Sequence, residues 1–296
     1  MEMIRWVQSF ASPFWDRFFV LVTQLGDDYF FACLLIFSYW CIHKELAYRM
    51  GFSFYLNSLL NAVLKNIFRI PRSFGQIDIR TLNEVPIGGY SFPSGHVQSA
   101  VSYSTTMMRR YRYTAVYLAG AAVILLVAVS RLYLGAHTPV DVVGAMAAGI
   151  GGVIVGEWIF GTLEKRDGRQ EWKLLAIIAV ILSGMLMMSN QGYYLAAGNI
   201  IGVLVIYYLD QRWLHFRQPV SYWVRIATAV VGYGIYVMLN RWIEPIYSGS
   251  PLGKFAEGMI HVTLVFLMIP LLYTVLNISV TKWVPGRSKS NGSSVS

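Results

Sequence analysis

The chain is poor in charge, in acid and in cysteine. Charged residues fill 13% of its 296 positions, about half the share of a soluble globular domain. With 56% hydrophobic residues and a mean hydropathy of +0.51, the chain reads as a polytopic membrane protein built as one helical bundle. Asp and Glu number 15 against 24 Lys and Arg, a net charge of +9. On a soluble protein that excess would point to nucleic acid. In so apolar a chain it reads as loop cations meeting anionic headgroups, and no nucleic-acid partner is expected. The two cysteines, Cys33 and Cys41, lie in an apolar run. They are too few for a disulfide framework and show no metal-ligand spacing. The opening MEMIRWVQSF lacks a basic region followed by a long apolar core, so a cleavable signal peptide is not expected.

What is abundant is the apolar run. Residues 2–25 have helical amphipathy, with Met3, Val7, Phe10, Phe14, Phe18 and Leu21 on one face and Arg5, Ser9, Ser12 and Asp16 on another. An in-plane interfacial helix is the expectation, with a tilted spanning helix as the competitor. Ser12–Pro13 has the form of a cap that restarts the helix. Nine candidate spans follow, judged against the roughly 20 apolar residues a bilayer requires. They cover about 27–43, 47–69, 95–109, 113–131, 139–162, 174–189, 193–210, 223–241 and 258–281. The expected architecture is all-α: a transmembrane bundle of about nine spans plus the N-terminal helix. The expected organisation is a core over 1–165, added spans over 166–285 and a disordered Ser/Asn/Gly-rich tail over 286–296.

Alternation of nine spans sorts the loops into two sets. One holds Lys44, Arg49, Arg109, Arg110, Arg112, Lys165, Arg166, Arg169, Lys173, Arg212 and Arg217, and the C-terminal cations join it. The other holds the segments around Lys65, Ser94 and His137, plus Arg80, Arg241 and Lys254. The positive-inside rule makes the first set cytoplasmic. The second then faces outward, periplasmic or extracellular in a bacterium and lumenal in an organelle, with a bacterial plasma membrane the expectation and the C-terminus cytoplasmic.

That second set carries the chemistry. Lys65 lies more than a turn inside a span that Pro71 should end near Ile70, and Arg72 follows. Snorkelling cations would explain most of this, but not the depth of Lys65. Pro93–Ser94–Gly95–His96 opens a helix, whose unpaired first amides and dipole suit an anion. An ordinary N-cap is the plain alternative. Ser130–Arg131 precedes His137, and Thr138–Pro139–Val140–Asp141 has the form of a capping box. Asp141 there could also accept the His137 ring N–H and fix its tautomer. Arg131 offers a forked donor suited to phosphate oxygens. The alternation of spans returns all three segments to one face. Cations and two histidines with no acidic metal cage are equipment for metal-free phosphoryl transfer.

These residues resemble the type-2 phosphatidic acid phosphatase superfamily, which also includes vanadium haloperoxidases and glucose-6-phosphatase. Its first signature, K-x6-R-P, is met by Lys65 and Arg72, with Ser73 in place of the final proline. Its second, P-S-G-H, is met by Pro93 to His96. Its third, S-R-x5-H-x3-D, is met by Ser130, Arg131, His137 and Asp141. The resemblance covers about residues 10–162. It implies that His137 is the nucleophile, that Asp141 orients it and that His96 is the acid and then the base. It implies that Lys65, Arg72, Ser94, Gly95 and Arg131 hold the phosphate, with no metal or cofactor. A membrane lipid phosphate is the implied substrate: phosphatidic acid, phosphatidylglycerol phosphate, a polyisoprenyl diphosphate or a sphingoid base phosphate. The long form is similar to the sphingosine-phosphate phosphatase and glucose-6-phosphatase branches in span count and sidedness. A binding or transport protein that keeps the phosphate cradle is the competing reading. Glu157, Asp210, Glu244 and Glu257 are expected to be helix-end or bundle-interior residues, and the sequence leaves oligomeric state open.

Overall fold

Within a bilayer the backbone has no water to bond, so an apolar chain answers with helices. The computed structural model describes residues 2–72, 79–81, 89–165, 168–218, 221–247 and 249–275, with side chains as far as 268. Among them there are eleven α-helices and no strand. They are α1 (Glu2–Gln8), α2 (Pro13–Thr23), α3 (Asp28–Phe37), α4 (Lys44–Phe68), α5 (Gly95–Tyr111) and α6 (Thr114–Tyr133). There follow α7 (Pro139–Glu164), α8 (Gln170–Met187), α9 (Gln191–Leu209), α10 (Tyr222–Tyr247) and α11 (Pro251–Val275). The expected tail over 286–296 lies outside the described residues.

The N-terminal amphipathic stretch restarts at Ser12–Pro13, as its residues suggest, and forms two helices. Ser12 caps the second by accepting from the Trp15 amide at 3.4 Å, and Pro13 takes the first position, where a missing N–H costs nothing. Met3, Phe10, Phe14 and Leu21 are exposed, as an apolar outer face requires. The polar face turns onto the protein. Gln8 Nε2 donates to the Arg80 and Tyr133 carbonyls at 2.7 and 2.8 Å, and Asp16 pairs with Arg80. A 3-10 turn at Gln24–Gly26 then joins α2 to α3, and the α2-to-Gly26 and α3-to-Ile42 segments make a pair bent by 54°.

Nine spans were expected, and length and composition support fewer. Six described helices, α6 to α11, are long and apolar enough to cross a membrane, or up to seven if the bent pair counts as one. Among the helices outside this count are α4 and α5, which carry the first two motifs. The reason lies in their position. Helix α4 packs against α5, α7 and α9 in the middle of the bundle, where its surface meets protein and can be polar. Asn57 Nδ2 donates to Ser102 Oγ at 2.6 Å and to the Gly149 carbonyl at 3.2 Å. Asn61 Nδ2 reaches Gln98 Oε1 at 2.8 Å. Such a network fastens α4 to α5 and α7 more directionally than apolar contact could. Helix α9 seats between α4 and α11, and one hydrophobic cluster runs from Ile4 to Phe266.

Candidate active site

Each motif segment sits at the end of a helix, and all meet at the same end of the bundle. Helix α4 stops at Phe68, with Arg69 in the left-handed region at φ 48°. Lys65, a turn earlier, donates from Nζ to the Tyr90 carbonyl at 2.6 Å. The chain then runs extended, and the Ser91 amide donates to the Ile70 carbonyl at 2.8 Å. Arg72 donates to the Ala136 carbonyl at 3.2 Å and to the Gly89 carbonyl at 3.3 Å, tying the first motif to the other two. Ser73 lies outside the described residues.

Helix α5 begins at Gly95 with Ser94 as its N-cap. Ser94 is fully buried. Its amide donates to the Asp141 carbonyl at 3.1 Å, while its hydroxyl has no partner. The α2–α3 elbow presses on this turn. A Cβ at Gly26 would lie 2.7 Å from the His96 Cβ, so only glycine admits that approach. Arg131, near the end of α6, is 2% exposed. It donates from Nη1 to Thr23 Oγ1 at 2.8 Å, and its Nε has no partner.

The capping box at the start of α7 is present in both halves. Asp141 Oδ2 accepts from the Thr138 amide at 2.8 Å and from Ser91 Oγ at 2.6 Å. The same oxygen stands 3.5 Å from His137 Nδ1, the outer limit of a hydrogen bond, and Nδ1 has no nearer partner. His137 Nε2 lies 3.5 Å from Arg72 Nη1. A guanidinium N–H can only donate, so this contact favours the tautomer with its proton on Nδ1, toward Asp141. Burial pushes the His137 imidazole down to about 4, against the pull of Asp141, and the Arg131, Arg72 and Lys65 charges add to the depression. Burial also lowers Arg72 from its ordinary value.

A cavity of about 530 Å³ opens between these segments, and Lys65, Arg72, Gly95, His96, Arg131 and His137 all line it. Six of the eight residues singled out in the sequence therefore face one space. The other two, Ser94 and Asp141, stand behind it and hold the residues that do. Several participants carry no sequence motif. Ser91 and Thr23 position Asp141 and Arg131, and Ser189 and Asn190 close the cavity from the α8–α9 turn. Ser91 is a polar residue next to a motif, and Asn190 lies in a loop that alternation puts on the motif face. Thr23 left no sequence signal, because its role depends on the fold of the N-terminal elbow. Among the described residues, no group of three or more His, Cys, Asp or Glu is placed to hold a metal ion.

Comparison with known proteins covers the same stretch. The chain is 31% identical over 139 residues to sphingosine-1-phosphate phosphatase 2 of Mus musculus, spanning 45% of this chain and 39% of that protein. It is 31% identical over 149 residues to sphingosine-1-phosphate phosphatase 2 of Homo sapiens, spanning 48% of this chain and 37% of that protein. The chain thus matches about two fifths of the length of these curated relatives. Among solved structures it is similar to LpxE of Aquifex aeolicus. The TM-score is 0.48 at 28% identity, over 52% of this chain and 92% of that one. Residues 46–165 match the model of the PAP2 superfamily, a stretch that holds all three motif segments.

Proposed function

We propose that the chain hydrolyses membrane lipid phosphates without a metal, through a phosphohistidine. The observation that carries this reading is that His96 and His137 line one cavity with Lys65, Arg72 and Arg131, while Asp141 stands behind His137. In the first step His137 Nε2 forms a bond to phosphorus as the bond to the lipid oxygen breaks. His96 gives that oxygen its proton, so the lipid leaves as an alcohol. In the second step His96 takes a proton from water. The hydroxide attacks phosphorus, the P–N bond breaks, and inorganic phosphate leaves with His137 restored. Lys65, Arg72 and Arg131, with the Gly95 amide, neutralise the charge that builds on the equatorial oxygens, and the Ser94 hydroxyl reaches them only if the helix start shifts to admit the phosphate.

A burial-depressed His137 supports the role, since the nitrogen that attacks must be unprotonated. The sphingosine-1-phosphate phosphatases it is similar to support a lipid phosphate as substrate. Loop charge supports a site on the membrane face away from the cytoplasm and a cytoplasmic C-terminus. The experiment is phosphate release by detergent-purified protein from a panel of lipid phosphates, with a chelator present and beside His137→Ala. Release that persists in chelator and is lost in His137→Ala is expected. Chelator-sensitive release, or an active His137→Ala, rejects the mechanism. No release from any member leaves the binding or transport reading in its place. Single-cysteine labelling at Tyr90 and at Lys165 from each side tests the orientation.

A further inference from the structure

The space beside the histidines continues into the bundle, and its lining changes character on the way. A second cavity, of about 320 Å³, shares Lys65, Gly95, His96 and Asn190 with the first. A third, of about 180 Å³, shares Asp28, Tyr55 and Asn199 with the second. The near end presents cations, while the far end adds carboxylates and amides, with Lys254 and His261 among them.

Three acceptors define that far end. Asn199 Oδ1 and Asn240 Oδ1 are buried with no hydrogen-bond partner, on side chains 6% and 7% exposed. Asp28 lines both inner cavities and makes no ion pair among the described residues. Nearby Lys254 does not neutralise it, because Lys254 sits 2.8 Å from Glu257. Asp28 is accessible from the passage rather than packed against protein, and a carboxylate at membrane depth marks a working position by default. Buried acceptors without donors are costly. A ligand that brings positive charge and several N–H donors would answer both. The placement needs the helices beyond the PAP2 domain. A Cβ at Gly198 would lie 2.1 Å from the Phe255 carbonyl oxygen, so glycine is what lets α9 seat on α11 with Asn199 turned to the passage.

We infer that this passage is an amine subsite: the substrate is a lipid phosphate carrying an amine close to its phosphate, with the ammonium held by Asp28 and Asn199. The inference rests on the phosphatase reading for the phosphate end alone. The test uses the full chain in detergent and two phosphates of equal chain length, a 2-amino-3-hydroxyalkyl phosphate and a plain alkyl phosphate. Wild type is expected to prefer the amine by at least about tenfold in kcat/KM, well below the roughly 10⁴-fold that a site built for a polar group can reach against an analogue lacking it. Asp28→Asn and Asn199→Leu each bring that ratio close to one, chiefly through KM. Asn199→Leu is the safer variant for folding, since its carbonyl oxygen has no partner to lose. A second arm needs no catalysis. The phosphate-free 2-amino-1,3-diol of the same length is expected to raise the wild-type Tm more than the plain alcohol does, and Asp28→Asn abolishes the difference. An absent preference in wild type, or a ratio preserved in both variants, overturns the subsite. If neither phosphate is hydrolysed, the phosphatase reading has failed, and the amine-dependent Tm shift alone upholds or overturns the subsite.

Discussion

The cations that line the motif cavity and those at the other end of the bundle are treated in opposite ways. At the end away from the motifs, cations meet carboxylates: Lys44 with Asp210 at 2.8 Å, and Arg49 with Glu164, Arg109 with Glu157 and Arg212 with Glu171. At the motif end Lys65 meets a carbonyl and Arg131 a hydroxyl, and neither has an ion pair among the described residues. Asp141, the carboxylate behind the cavity, is spent on a helix cap, a serine and His137. The first arrangement holds helices together and is electrically closed. The second costs folding energy and leaves positive charge for an anion to collect. Charge count alone would not separate them, because both ends are rich in Lys and Arg.

The comparison can be broken or sharpened by substitution. The largest effect is expected for His137→Ala, with phosphate release down by about 10³-fold or more, as for nucleophiles that act in a concerted set. Single-turnover quench should find no phosphohistidine in it. His96→Asn is expected to cost about 10²- to 10⁴-fold in kcat, the range for a general acid–base group. It should lose less with an aryl phosphate, whose leaving group needs little protonation. Arg131→Lys is expected to lose about 10²-fold in kcat/KM, because an ammonium cannot keep both the Thr23 bond and a forked grip on phosphate.

The sharpest contrast sets Lys44→Met against Lys65→Met. Removing Lys44 strands the fully buried Asp210 and should destabilise the fold by about 3 kcal/mol, the scale for a broken buried pair. Lys65→Met should leave Tm unchanged or raise it while lowering phosphate release. If both variants lose equal stability, the two ends do not differ in the way described here. The smallest effect is on pH. His137 is held at about 4, below the ordinary 6.5, so its contribution to stability is complete above about pH 6.5 and is lost as pH falls toward 4. Between pH 7 and 5 the wild-type Tm should therefore fall further than that of His137→Gln.

Much of the site was legible because its chemistry is local. Ser12–Pro13 and Thr138–Asp141 announce helix starts by residue type, and the structure has both caps. The convergence of His96 and His137 followed from counting two spans between them. The span count itself was less legible. Helices α4 and α5 are buried by protein, and hydropathy cannot distinguish a polar helix inside a bundle from one that never enters a membrane. Glu244 and Glu257 looked like scattered bundle residues, as did Asp210. Asp210 pairs with Lys44 at the far end, whereas the two glutamates line the innermost cavity.

The residues by themselves determined the solvent, the helices and the chemical kit: too little charge for water, runs long enough for lipid, and two histidines with cations at spaced helix ends. Only the tertiary structure decided that Thr23 holds Arg131, that Ser91 holds Asp141, and that Asn199 and Asp28 look into the same passage as His96. Those relations join residues tens to more than a hundred positions apart. They depend on how helices are rotated against one another, and that rotation is set by the sum of many packing contacts rather than by any short stretch of chain.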